Sequence, residues 1–186
     1  SSAAKFIIFM GHGRGDKLLG SFNKKAEDFI SNDALSEELF YKNEKFIHEQ
    51  NIDFFKNKIL FCFSCNSNEN KSKSLSRIAI QKGVKSFIGF GDMPTDYIAG
   101  RPFPLKAIET YKCILTRVIK NGLYIAIKKE YTIDEFIRLL KILVTKEMQS
   151  ILFTSSKYRH KKVLLQELYK FKTNIKVYGN RYERLV

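Results

Sequence analysis

The sequence predicts a single α/β domain built on a mostly parallel sheet, and three observations carry that expectation. Three apolar runs, Lys5–Met10, Ile59–Ser64 and Val84–Phe90, are too short for ordinary helices, and each breaks into glycine or polar residues. That is the mark of buried strands ending in loops. Stretches with apolar residues at helical spacing follow the second and third runs, and strands that alternate with helices pair in parallel. The chain has 186 residues, enough for one domain with a core of its own, and it shows no repeat, linker or second domain.

The first run gives way to a glycine-rich turn, Gly11 to Gly15. Residues 16–58 carry the weakest signals: helix-like pieces at Asn23–Ile30 and Ser36–His48, with a break at Ser31–Asp33. After the second run comes a loop, Asn66–Lys73, with no apolar residue, expected to be exposed and mobile. Ser74–Lys82 places Leu75, Ile78 and Ala79 on one helical face, with Gly83 as a C-terminal cap. The third run ends in residues 91–102, a second loop expected to be mobile. Leu105–Lys120 carries Ile108, Tyr111, Leu115, Val118 and Ile119 on one face, and Asn121-Gly122 is expected to end or interrupt that helix. Thr132 and Glu135 form a capping box, which starts a helix at Ile133 and runs it to about Glu147. A further helix over Arg159–Phe171 and a short last strand, Ile175–Tyr178, complete the chain.

The net charge is +14. Such a balance suits nucleic acid or acidic lipid, but the lysines are spread along the whole chain, with 157–162 as the one dense cluster. A binding face would be more clustered, so the charge reads as solvated surface and nucleic acid is not expected as a direct ligand. No apolar run is long enough to span a bilayer. Three cysteines, an odd and small number, argue against a disulfide framework and for a reducing, cytoplasmic location.

The chemistry gathers at two strand ends. If the runs at Lys5–Met10 and Ile59–Ser64 are parallel neighbours, their C-terminal ends share one edge of the sheet, where α/β folds place their sites. His12 lies just past the first, between Gly11 and Gly13, and Cys65 lies just past the second. Flanking glycines let the chain turn sharply and let a substrate approach. A free thiol is mostly protonated at neutral pH, and an imidazolium beside it stabilises the thiolate. Cys65 is therefore the candidate nucleophile, with His12 as base and later as acid. Cys62 and Cys65 form a C-x-x-C, but no second Cys/His pair stands at zinc-ligand spacing, so no metal or other cofactor is expected. Odd spacing on a strand points the two to opposite faces, which makes Cys62 a small core residue; Cys113, mid-helix, takes the same reading. His48 and His160 sit among charged residues and read as solvated. The glycine-rich turn lacks the spacing of a phosphate-binding loop.

Phe6–Gly13, Ile59–Ser67 and Gly83–Gly89, with the helix before Gly83 and the closing Ile175–Asn180, together resemble the CHAT peptidases. These are caspase-like cysteine proteases of the clan that also holds caspases, separases and gingipains. His12 precedes Cys65 by 53 positions, near the roughly 50-residue separation found in caspases. The resemblance implies a three-layer α/β/α caspase-like sandwich over residues 1–186. It implies a His12/Cys65 dyad, and an oxyanion hole made by the backbone N–H groups of Gly13 and Cys65. It implies a protein substrate, and activation by a regulatory domain or partner protein. Asn180 stands where the family commonly has Asp. Family members carry further strand and helix elements before the histidine strand, which here begins at residue 5, so a longer protein is expected to supply them. In caspase-like folds the region after the third strand walls the pocket beside the nucleophile. Here it offers Asp92 and Asp96 as substrate-binding candidates, with a preference for a basic residue before the cut; either could instead cap its turn. Two rival readings are a catalytically silent CHAT-like interaction module and a basic nucleic-acid-binding α/β domain.

Overall fold

The computed structural model describes residues 4–19, 45–94, 103–154 and 160–186. Its main sheet has four strands: β1 (Phe6–Met10), β5 (Ile59–Phe63), β6 (Ser86–Gly89) and β7 (Lys176–Gly179), in the order β1-β5-β6-β7. The first three run parallel and β7 is antiparallel to β6. A small antiparallel sheet holds β2 (His12–Arg14), β3 (Lys17–Leu19) and β4 (Lys45–Ile47). Four helices are described, α1 (Leu75–Gln81), α2 (Leu105–Lys128), α3 (Ile133–Phe153) and α4 (Lys161–Asn174), with a 3-10 turn at Ile52–Phe55.

The central strand explains the layering. β5 is apolar throughout because both of its faces are covered. Ile59 and Phe61 point into one core with Ile88, Phe90 and the inner faces of α2, α3 and α4. Leu60 and Cys62 point into a second core with Phe87, α1, the 3-10 turn residue Ile52, and Leu18 and Ile47 of the small sheet. The chain is thus a mixed α/β structure with helices on both faces of a mostly parallel sheet. Phe61 anchors the larger core, edge-on to Phe90 at 5.1 Å and tilted against Phe136 at 5.7 Å.

Three sequence expectations change here. β1 is not a buried strand: it lies at the end of the sheet, and Ile8 and Met10 are exposed. An edge strand covered on one side keeps an apolar composition without burying all of it. Gly11–Gly15 is not an open turn but the first half of a hairpin, with His12 paired opposite Leu19 and Arg14 opposite Lys17. Lys45–Ile47 is strand rather than helix, because Ile47 is buried beside its partner Leu18 and Phe46 stacks on Phe9 at 5.9 Å. Tertiary pairing decides such short ambiguous runs. The helix-like pieces at 23–30 and 36–44 lie outside the described residues.

Helix ends follow local chemistry. Thr132 Oγ1 accepts from the Glu135 N–H while Glu135 Oε2 accepts from the Thr132 N–H, so the capping box forms as expected. α3 runs on to Phe153 because Ile151 continues the buried stripe. α1 ends in a Schellman motif: Gly83 has φ +90°, its N–H reaches the Ile80 carbonyl, and the Val84 N–H reaches that of Ala79. α2 does not stop at Asn121-Gly122. Gly122 is buried, and a Cβ there would lie 2.5 Å from Leu140 of α3, so this glycine lets two helices close on each other. The stop comes at Glu130, in the left-handed region at φ +51°, where the same pair of bonds forms from Glu130 to Ile127 and from Tyr131 to Ala126.

Candidate active site

β1 and β5 are parallel with Met10 opposite Phe63, so His12 and Cys65 each stand two residues past the end of neighbouring strands. The Gly11 N–H extends the pairing one step by donating to the Phe63 carbonyl at 3.4 Å. The chain beyond β5 then turns tightly, with the Ser64 N–H donating to the Cys62 carbonyl at 2.9 Å and Asn66 in the left-handed region at φ +55°. This turn ends the strand at Phe63, one residue earlier than the sequence suggested. It also leaves the two cysteines on opposite sides, as expected: Cys62 is in the second core and half-buried Cys65 packs against the first.

Ser67 clamps the turn. Its Oγ lies 2.8 Å from the Cys62 carbonyl and 2.9 Å from that of Ser64, either of which its proton can reach, and accepts from the Phe90 N–H at 2.8 Å. The N–H groups of Asn66 and Asn68 donate to Gly91 and Phe90 carbonyls, and Asn68 Nδ2 donates to the Asn174 carbonyl at 2.7 Å. Tyr178 OH donates to the Asn68 carbonyl at 2.6 Å. The expected exposed loop therefore holds for residues 70–73 and fails for Ser67, which is buried. Gly89 makes the approach possible, since a Cβ there would collide with the Ser67 carbonyl group.

His12 and Cys65 line one open cleft of about 270 Å³ together with Met10, Gly11, Phe63, Met93 and Lys112. Gly13 is half-buried against the other side of the Cys65 turn: a Cβ on it would sit 2.6 Å from Ser64 Oγ and 3.0 Å from the Cys65 carbonyl. Cys65 Sγ donates to the Met93 carbonyl at 3.3 Å. Asp92 is exposed and does not line the cleft, whereas its neighbour Met93 does. Asp96 lies outside the described residues.

Sequence reasoning missed Met10, Phe63, Met93 and Lys112 as cleft residues. Lys112 follows Tyr111 on α2 and carried no signal of its own, because the helix reading assigned only the apolar face. Cys113 is exposed rather than core, since it falls on the solvent side of α2. Burial pushes the Cys62 thiol far above its ordinary pKa, which keeps it neutral and inert. Two buried side-chain oxygens among the described residues have no hydrogen-bond partner, Ser64 Oγ and Tyr111 OH. No group of three or more His, Cys, Asp or Glu among the described residues is placed to hold a metal. No described helix is long and apolar enough to cross a membrane. No family model, no curated protein and no solved structure matches the chain.

Proposed function

We propose that the chain is a caspase-like cysteine endopeptidase domain of CHAT type, with Cys65 as nucleophile and His12 as general base and acid. The observation that supports it is one cleft lined by both side chains, each carried just past the C-terminal end of adjacent parallel strands. In this reading His12 takes the proton from Cys65, and the thiolate attacks the peptide carbonyl carbon. The N–H groups of Gly13 and Cys65 receive the oxyanion, at about 3–4 kcal/mol per donor. His12 then protonates the leaving amine, and water, deprotonated by His12, hydrolyses the thioester. A reducing compartment suits a free catalytic thiol.

In the resting arrangement the Cys65 proton is held by the Met93 carbonyl, so the thiol must leave that acceptor before it can react. A regulatory domain or partner that moves the chain at Met93 would switch the enzyme on. The test is labelling by an electrophilic peptide, alongside cleavage of a peptide library, with and without the rest of the protein. Cys65→Ala is expected to abolish both, and His12→Ala to lower cleavage at least a hundredfold. Cys62→Ser retains activity, at a cost of about 1–3 kcal/mol for a buried hydroxyl. Failure of Cys65 to label in every state would instead identify a catalytically silent interaction module.

A further inference from the structure

Ser64 stands between the end of β5 and the candidate nucleophile. It is fully buried, and its Oγ has no hydrogen-bond partner among the described residues. A hydroxyl left so needs an account other than hydrogen bonding. What Ser64 faces is the backbone of Gly13. A Cβ on that glycine would lie 2.6 Å from Ser64 Oγ, 2.9 Å from Ser64 Cβ and 3.0 Å from the Cys65 carbonyl oxygen, so the two chains touch where no side chain fits.

Both sides of this contact are held. The Ser64 N–H donates to the Cys62 carbonyl at 2.9 Å, and the Ser64 carbonyl lies 2.9 Å from Ser67 Oγ, within reach of its proton. Gly13 is paired in its hairpin with Leu18, which is fully buried in the second core, the core that also holds Cys62. His12 precedes Gly13 and Cys65 follows Ser64, and both line the cleft, which Ser64 itself does not. We infer that Ser64 is a positioning residue for the candidate dyad, its side chain seated on Gly13 so as to set the gap between the strand that carries His12 and the turn that carries Cys65. The inference rests on the proposed dyad and adds a residue that acts through backbone contact rather than on substrate. The sizes are matched across the contact, with no side chain at position 13 and a small one at position 64. A methyl group added at position 13 therefore pushes the two carriers apart unless position 64 gives up its own side chain. Once they part, the imidazolium stabilises the thiolate less.

The experiment is the pH profile of alkylation by iodoacetamide, which needs no substrate. It is run in a Cys113→Ser background, because Cys113 is exposed and would react, whereas Cys62 is buried. His12→Ala is expected to move the profile to higher pH. Gly13→Ala is expected to move it the same way, by about one unit, and to slow alkylation at neutral pH about tenfold. Ser64→Gly removes the two nearest atoms that the new methyl group meets. Alone it slackens the spacing and is expected to slow alkylation about threefold, whereas added to Gly13→Ala it is expected to speed alkylation about threefold. That reversal of sign follows from contact across the gap; two independent structural losses would add instead. A Gly13→Ala profile superimposable on the parent in a folded protein overturns the inference, and so does a double variant no faster than Gly13→Ala alone. Where Gly13→Ala does not fold, a folded and alkylated double variant supports the inference and an unfolded one overturns it. A His12→Ala profile that matches the parent removes the dyad reading and the inference with it. An inference overturned beside a shifted His12→Ala profile leaves the dyad standing.

Discussion

Ser67→Ala tests whether the turn that carries Cys65 is held by one buried hydroxyl. Ser67 Oγ accepts from the Phe90 N–H at 2.8 Å and reaches two carbonyls, those of Cys62 and Ser64, within 2.9 Å. Removing it loses hydrogen bonds worth about 0.5–1.5 kcal/mol net and strands the Phe90 N–H, which costs about 1–3 kcal/mol more. The expected loss is therefore about 2–4 kcal/mol, or roughly 5–15 °C in Tm for a chain of this size. Urea unfolding of both proteins gives the free energy, and an unchanged m-value shows that the native and unfolded states keep their exposed areas. Ser72→Ala, on the exposed side of the same loop, serves as the control and is expected within about 0.5 kcal/mol of the parent. Because Ser67 fixes the turn that carries Cys65, its loss also slows alkylation of that thiol. A change under about 0.5 kcal/mol with unaltered alkylation would show that the backbone bonds of Asn66 and Asn68 hold the turn without it.

Acid stability follows from two carboxylates. The hydrogen bond from Lys85, aided by the charges of Lys85 and Lys5, holds Glu183 below the ordinary glutamate range, and the Thr132 N–H does the same for Glu135. Groups with depressed pKa values contribute stability that is complete above the unfolded-state glutamate value of about 4.3 and is lost as pH falls through the lower folded values. Tm measured from pH 7 to pH 3 is expected to fall less steeply for Glu183→Gln and Glu135→Gln combined than for the parent; parallel curves would exclude both groups. Under the proposed peptidase reading, substrate choice would follow Lys112, which lines the cleft while Asp92 does not, so the sign differs from the preference expected from Asp92. A peptide library is expected to show Lys and Arg disfavoured beside the cut, by about tenfold or less in kcat/KM. Lys112→Ala relaxes that bias; a basic preference that disappears in Asp92→Ala would restore the earlier assignment.

What could be read from the sequence was what local chemistry dictates. β5 stood out because a strand buried on both faces is apolar almost without interruption, and Thr132/Glu135 and Gly83 marked helix ends through side-chain and backbone bonds that need no distant partner. The expectation that His12 and Cys65 share one edge came from strand-end positions, and the parallel register of β1 with β5 puts both on one cleft. Gly122 misled because a glycine that ends a helix and one that lets two helices touch look alike until Leu140 is in view. Glu130 gave no signal, since a non-glycine residue in the left-handed region carries no compositional mark. Ser67 looked like loop, because nothing in its own neighbourhood shows that its hydroxyl meets the Phe90 N–H. Lys112 reaches the cleft through the packing of α2 against the sheet, a long-range fact that no spacing encodes.

The two residues of the proposed dyad are anchored by different elements. Cys65 stands on a turn bonded to β5, to the chain after β6, and through Asn68 to α4 and β7. His12 is exposed and belongs to the small sheet, beside which the Gly11 N–H donates to the Phe63 carbonyl, at 3.4 Å, and the Leu75 N–H donates to the Gly15 carbonyl, at 2.8 Å. Leu18 and Ile47 tie that sheet into the second core, the one that also receives α1 and the 3-10 turn. Gly13, next to His12, abuts Ser64 and the Cys65 carbonyl, so the small sheet and the Cys65 turn bear on each other directly, and the two candidate side chains stand on supports that brace one another, as precision at a reacting centre demands.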